Sequence, residues 1–295
     1  MIVVPALHPA REVLARVDTL RPGTVHRTTD TLGTIGGKAV NVARFVRLMG
    51  GDVQLVVLAD DAIREALAAD PVLGDAGGPG GAVSTIPSPA ASRIDLAIVD
   101  AAGGLTVVNG TAAAVAAADV AATEAVALDG LGRDDVIVLA GSQPPGAEGS
   151  LGRLIEAAAE RGATAIVDAS GPWLAEALAA RPPVVKINRD ESAGADTDDV
   201  PILAITDGAD GIRVRIDGAT WQIAPPPDIR VVNPLGAGDA VTAGLALGLA
   251  AARSPLDALR LGVAMAAARL AHLEMTLDPS DVPAIERRLR VERLA

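Results

Sequence analysis

Late in the chain, Asn233-Pro234-Leu235-Gly236-Ala237-Gly238-Asp239 runs into the apolar stretch Ala240-Val241-Thr242-Ala243-Gly244. Two glycines around an alanine let a backbone turn tightly, and the apolar stretch that follows reads as a helix. The first free N–H groups of that helix, over Gly236, Ala237 and Gly238, then point outward. Orphan donors and the helix dipole together favour an anion there. An aspartate inside such a turn repels phosphate, so its presence needs a reason of its own. Beside a phosphoryl group in transfer, the Asp239 carboxylate is a general base for an attacking hydroxyl. The plainer alternative is a Gly-rich turn whose Asp complements the positive end of the helix.

A second cluster lies near the start, Gly36-Gly37-Lys38-Ala39-Val40-Asn41-Val42-Ala43-Arg44. A glycine pair meets a helix start, and Lys38 and Asn41, three apart, share one face. A lysine at a helix N-terminus opposes the dipole, and an anionic ligand is one reason to keep it. A solvated surface lysine, with Asn41 near a cap, is the other. The Gly-x4-Gly-Lys-Ser/Thr pattern of a P-loop is absent.

The elements that must hold these clusters alternate. Short apolar runs at Ile2–Ala6, 53–58, 136–139, 165–167, 184–187 and 202–205 read as strands. Helical stretches at 38–49, 62–69, 115–128, Ser150–Arg161 and 173–180 separate them. Nearly continuous apolar strands suit a parallel sheet covered on both faces, and the alternation points to βαβ units in a doubly wound α/β fold. A strand at 229–232 leads into the Asp239 turn, and helices at 237–252, 255–272 and 282–294 follow. The segments 24–35 and 93–109 break the rhythm as hairpin-like ribbons, the second turning at Gly103-Gly104. They form a small projecting lid from segments about 10–36 and 90–111 of one domain spanning 1–295.

Composition narrows the classes. With no Tyr, one Phe and two Trp, the core of this 295-residue chain is built from Ala, Val, Leu and Ile. No cysteine is present, which excludes disulfides and thiolate metal sites. A net charge of −12 with no basic stripe argues against nucleic acid as partner. The apolar stretch 240–252 is too short and too rich in Ala and Gly to span a membrane. Met1-Ile2-Val3-Val4-Pro5 lacks the basic start of a signal peptide, so the expected location is cytoplasmic.

In order and position, the two clusters resemble the signatures of the ribokinase-like, phosphofructokinase B type carbohydrate kinases, and the resemblance runs over nearly the whole chain. It is nearest the branch of 1-phosphofructokinases and tagatose-6-phosphate kinases, where Asn-Val-Ala/Thr-Arg/Lys follows the Gly-Lys pair. Other landmarks agree. His8-Pro9-Ala10-Arg11-Glu12 resembles the first-strand segment whose acid holds sugar hydroxyls, and Ser92-Arg93-Ile94 resembles the lid arginine that grips the substrate phosphate. Ala140-Gly141-Ser142-Gln143-Pro144-Pro145-Gly146 resembles the family's loop after a central strand. Lys186-Ile187-Asn188-Arg189-Asp190-Glu191 resembles the motif that touches phosphate and orders Mg²⁺ through water, with Glu191 the acid. Thr206-Asp207-Gly208-Ala209-Asp210-Gly211 resembles the nucleotide loop.

The resemblance therefore implies ATP and Mg²⁺ as cofactors, a small sugar or sugar phosphate as partner, and a homodimer through the lid. Asp239 is implied as base, with the Gly236–Gly238 amides on the transferring group. Glu12, Gly37 and Asn41 are implied at the sugar, and Lys38, Arg93 and Arg27 at its phosphate. Lys186, Asn188, Glu191, Thr206, Gly208 and Gly211 are implied on the nucleotide side. The implied reaction moves the γ-phosphoryl of ATP to a hydroxyl of a phosphosugar such as fructose 1-phosphate or tagatose 6-phosphate. A kinase of an unphosphorylated sugar or nucleoside, and a silent ligand-binding member, are the alternatives.

Four departures stand out. Glu12 replaces the usual Asp, Ala39 replaces a Gly, and the C-terminal Asn-Gly element is not evident around 271–277. The stretch 192–201 is short, turn-prone and lacks an apolar stripe. The strands at 184–187 and 202–205 are thus expected either not to be parallel neighbours, or to be joined by a bare loop that leaves sheet face uncovered. The consequence expected is weak ATP binding, or an oligomer that covers the gap.

Overall fold

The computed structural model describes residues 1–28, 30–74, 83–90 and 92–294. Its first half runs β1 (Ile2–Ala6), β2 (Ala10–Val17), β3 (Thr31–Gly36), α1 (Lys38–Leu48), β4 (Val53–Ala59), α2 (Asp61–Ala69), β5 (Val83–Pro87), β6 (Arg93–Asp100), β7 (Leu105–Asn109) and α3 (Ala117–Leu128). Then come β8 (Val136–Ala140), α4 (Ser150–Arg161), β9 (Thr164–Asp168), α5 (Gly171–Ala179), β10 (Val184–Asn188), α6 (Arg189–Ser192) and β11 (Ile202–Thr206). The chain closes with β12 (Ile212–Ile216), β13 (Ala219–Ala224), α7 (Ala237–Ala250), α8 (Pro255–Arg269), α9 (Val282–Arg288) and β14 (Arg290–Arg293).

The main sheet has the order β14-β13-β12-β11-β10-β9-β8-β1-β4-β5. Every pair from β5 to β11 is parallel, and β11 to β14 are antiparallel. Its central strands are apolar at successive positions because both faces are covered. Ile2, Val4, Val136, Val138 and Val184 face α1, α7 and α8. The intervening Val3, Ile137, Leu139 and Val185 face α4 and α5. The second sheet, β3-β2-β6-β7, packs Leu14, Ala97 and Val99 against Leu235 and Leu273. No helix among the described residues is long and apolar enough to cross a membrane.

The expected doubly wound architecture is present, and the strands read from apolar runs lie where expected. Several other readings are corrected. Only β3 falls within the ribbon at 24–35; it pairs with β2, and the rest of that segment belongs to the connection between them. The lid segments include residues 29 and 91, which lie outside the described ones. Residues 229–232 form no strand; instead the Val232 amide donates to Leu270 O at 2.7 Å. The last helix stops at Arg288, and β14 pairs with β13 to extend the sheet. The antiparallel strands β12 and β13 also escaped the apolar-run reading, since each carries polar residues at alternate positions.

Strands β10 and β11 are parallel neighbours in register, which selects the second of the two expected arrangements. Their connection is the four-residue α6 followed by a loop. The loop offers its own plug, with Val200 buried and Ala195 packed on the same core. A groove of about 620 Å³ remains between it and α5, lined by Leu174, Leu178, Ala195 and Val200 among others.

α7 and α8 cross with their backbones in close contact. A Cβ on Gly262 would lie 2.5 Å from Val241 O, and one on Gly244 would overlap Gly262 itself. Gly262→Ala is expected to cost about 1–3 kcal/mol of stability. Helix propensity alone favours the alanine by about 1 kcal/mol. A net loss in a urea titration therefore isolates the packing, and a gain would show that the two helices separate freely.

Candidate active site

The C-terminal ends of β1, β8, β10 and β11 open on a cavity of about 520 Å³, lined there by Ala6, Ala140, Asn188 and Thr206. Crevices at this edge of an open parallel sheet are where α/β folds bind ligands. The small sheet forms the opposite wall with Glu12, Arg93, Asp95 and Asn109. α1 and α7 aim their first turns into the space, bringing Gly37, Lys38, Asn41, Gly236, Gly238 and Asp239 to it.

Beneath the floor, Asp168 ends β9 and is fully buried. Its Oδ1 accepts from Lys38 Nζ at 2.8 Å, and its Oδ2 accepts from Lys186 Nζ at 2.8 Å and Thr242 Oγ1 at 2.7 Å. Burial works to raise the Asp168 pKa, but Lys186 and Lys38 hold it well below the usual carboxylate range. Burial likewise works to neutralise Lys38; Asp168, Glu191 and Asp239 outweigh it and raise the ammonium pKa. Lys38 thus stays charged at the cavity.

Asp239 has the opposite electrostatics. Burial first, and the Asp168 charge second, push its carboxyl up to about 6 against the pull of Lys38 and Lys186. A base that titrates near neutral pH accepts a proton readily and still ionises. Its orientation is fixed by a relay. Asn41 Nδ2 donates to Asp239 Oδ2 at 3.0 Å, and Arg44 Nη1 donates to Asn41 Oδ1 at 2.6 Å. Arg44 Nη2 in turn donates to Ile35 O at 2.6 Å and Asp70 Oδ2 at 2.7 Å.

The turn before α7 needs its glycines. Gly236 adopts φ 79° as the N-cap, and a Cβ on Gly238 would crowd Lys186 Nζ at 3.0 Å. Buried Asn233 shapes the turn, accepting from the Leu235 amide at 2.9 Å and donating to Leu273 O at 2.7 Å. Ala237 turns its amide back to Pro234 O at 3.3 Å, so it is not among the free donors of the turn. Across the cavity, Glu12 Oε1 accepts from the Gly37 amide at 3.0 Å, and burial pushes this carboxyl up. Arg93 Nη1 lies 3.1 Å from Asp95 Oδ2, while its buried Nε has no partner.

Residues 86–280 match the sequence profile described as pfkB family carbohydrate kinase. The chain belongs to that family. It is similar to the 1-phosphofructokinase of Haloferax volcanii, at 31% identity over 89% of this chain and 88% of the relative. It is also similar to the 1-phosphofructokinase of Rhodobacter capsulatus, at 30% identity over 99% and 98%. A possible 1-phosphofructokinase of Thermotoga maritima shares the fold with a TM-score of 0.85 at 21% identity, covering 100% of both chains. Escherichia coli phosphofructokinase-2, solved with substrates and products, shares it at 0.84 and 24%, covering 97% of this chain and 98% of that one. The protein is an ATP-dependent carbohydrate kinase of ribokinase-like fold.

In this pfkB kinase most of the sequence-derived residues are brought together. Glu12, Gly37, Lys38, Asn41, Arg93, Lys186, Asn188, Thr206, Gly236, Gly238 and Asp239 line one cavity. Glu191 sits just beyond, 3.7 Å from Lys38 Nζ. Arg27 is not brought in, because it lies on the exposed connection between β2 and β3. Gly208 and Gly211 flank the turn after β11 outside the lining, and Gly211 is required there because a Cβ would collide with Ile223 O. Sequence reasoning missed Asp168, Asp70 and Thr242. An acid closing the apolar strand Ala165-Ile166-Val167-Asp168 was the available signal.

Among the described residues, no group of three or more His, Asp or Glu could cage a metal. Glu191 forms a capping box with Asn188, its Oε2 accepting from the Asn188 amide at 2.9 Å. Mg²⁺ keeps several waters and commonly takes one or two carboxylates plus substrate phosphates. Glu191 fits an outer position toward such an ion.

Opposite stability effects are expected for the two aspartates. Asp239 has a folded pKa above its unfolded value of 3.8, so its contribution to stability is present below pH 3.8 and lost as pH rises through about 6. Asp239→Asn should therefore melt higher than wild type at pH 8, with the gap narrowing as pH falls through about 6 and closing only below 3.8. Asp168→Asn should melt lower at pH 8, by about 3–5 kcal/mol, because two buried lysines lose their anion. Thermal melts across pH test both; a gap for Asp239→Asn that does not change with pH would refute its titration near neutrality.

Proposed function

We propose that this kinase acts on a sugar that already carries a phosphate, such as fructose 1-phosphate or tagatose 6-phosphate. The observation that carries the reading is Arg93, a cavity-facing guanidinium on the small sheet whose buried Nε lacks a partner. It stands beside the end of β1, its Nη2 donating to His8 O at 3.5 Å, and is the group assigned to the acceptor's own phosphate. The relatives named 1-phosphofructokinase support the same class. Asp95 engages only Nη1, so a plain sugar or a nucleoside would leave the buried Nε without an acceptor.

In this reading Glu12 and Asn41 bind the sugar hydroxyls and bring the acceptor oxygen to Asp239. That oxygen bonds to the γ-phosphorus as its proton passes to Asp239, and the bond from the γ-phosphorus to the β-bridging oxygen breaks to release ADP. The amides of Gly236 and Gly238 stabilise charge on the transferring group. Lys38, held by Asp168 near Asp239, is assigned to the same group rather than to the acceptor's phosphate. Lys186, Asn188 and Thr206 face the nucleotide phosphates. Mg²⁺ supplies neutralisation of phosphate charge when bound. The small sheet excludes water and limits hydrolysis of ATP. Its exposed Ile94, Val107 and Val108 support pairing of two copies through that sheet.

ADP release assayed against a panel of sugars, sugar phosphates and nucleosides tests the substrate class. Turnover of free hexose or a nucleoside ahead of every phosphosugar would overturn it. Arg93→Ala should raise KM for the phosphosugar by about 10- to 100-fold, the scale of a lost charge-assisted contact. KM for ATP should stay within about twofold of wild type. A rise for ATP alone would reverse the assignment of the two ends. Asp239→Asn should cut kcat by at least ~10²-fold, and full turnover would remove Asp239 as base.

A further inference from the structure

Arg269, at the end of α8, is fully buried and the largest such side chain among the described residues. Neither the fold nor the chemistry above uses it. Its Nη1 donates to His272 O at 2.7 Å, while Nε and Nη2 have no partner. A buried guanidinium left two-thirds unsatisfied is a costly way to fill space that Leu or Met would fill without penalty.

Its position gives it a reason to be there. Nε lies 3.6 Å from the point where a side chain on Gly236 would begin. Gly236 lines the cavity and Arg269 does not, so the turn stands between them. The charged groups that act on it come from all the packed elements: Asp239 on α7, Glu274 beyond α8, Arg44 on α1 and Glu12 on β2. Burial, the largest influence, lowers its pKa to about 10, which leaves it cationic at neutral pH. A peptide whose N–H faces the cavity points its carbonyl the other way. A cation behind the turn therefore favours the orientation that presents donors to an anion, and adds its own field to theirs.

We infer that Arg269 is a positioning residue for phosphoryl transfer, a resident positive charge behind the Gly236–Asp239 turn that strengthens its hold on the transferring group and helps keep Asp239 ionised. This rests on the turn being the phosphoryl site. Lys38 and Lys186 act on Asp239 from the cavity floor with Asp168 opposing them; Arg269 acts from behind, where no ligand displaces it.

The test compares Arg269→Met, which removes the charge, with Arg269→Lys, which keeps it. Melting temperature, kcat, both KM values and the pH profile of kcat/KM are read for each. Arg269→Met should fold, lose about tenfold or more in kcat, and change either KM less than about threefold. Its acidic limb should move up by about one pH unit as Asp239 loses a stabilising charge. Arg269→Lys should recover most of the turnover and return the limb toward wild type. Wild-type kcat and an unmoved limb in Arg269→Met would overturn the inference, as would an Arg269→Lys enzyme no better than Arg269→Met. If Arg269→Met fails to fold, Arg269→Gln, which keeps a donor for His272 O, is read by the same criteria. Failure of the underlying site reading looks different, because Asp239→Asn would then keep its turnover.

Discussion

Two ammonium groups and a hydroxyl converge on the Asp168 carboxylate, and the site is built around that convergence. Lys38 comes from α1, Lys186 from β10 and Thr242 from α7, so one anion ties three separate elements to the end of β9. A buried carboxylate of this kind is tolerated only when it is fully paired and hydrogen-bonded, and here every oxygen is engaged. The same anion raises the pKa of Asp239 a short distance away. A structural ion pair and the tuning of the Asp239 carboxyl, the base in the proposed reaction, are thus one interaction seen from two sides.

The sheet was legible because burial on both faces leaves apolar runs with little ambiguity. Ile2–Ala6 and Ser150–Arg161 have the bounds that sequence reasoning assigns them. Strands β12 and β13 were not legible, since Arg213, Arg215 and Gln222 interrupt them where one face is less covered. The apolar run at 229–232 misled for the converse reason: its backbone pairs with the end of α8, not with a strand. The site shows the same split. Gly236, Gly238, Lys38 and Asn41 carry local signals of turn and helix start. Asp70 and Arg269 owe their importance to neighbours distant in sequence, with no local signal, and Asp168 left only the hint of an acid closing an apolar strand.

The nucleotide side illustrates how a missing element is replaced. Expectation had a bare sheet face between β10 and β11. The loop instead drops Val200 and Ala195 onto the core, so the gap shrinks to a groove beside α5.

The order in which the chain is made has a consequence for this site. Lys38, Asp168 and Lys186 all precede residue 190, whereas the turn, Asp239, Thr242 and Arg269 follow residue 230. Translation proceeds from the N-terminus, and early segments begin to fold first. A nascent chain therefore carries Lys38, Asp168 and Lys186 while Asp239, Thr242 and Arg269 are still unmade. Fragments ending before α7 also lack two of the helices that cover β1, β8 and β10 on one face, so the core and the turn are completed together.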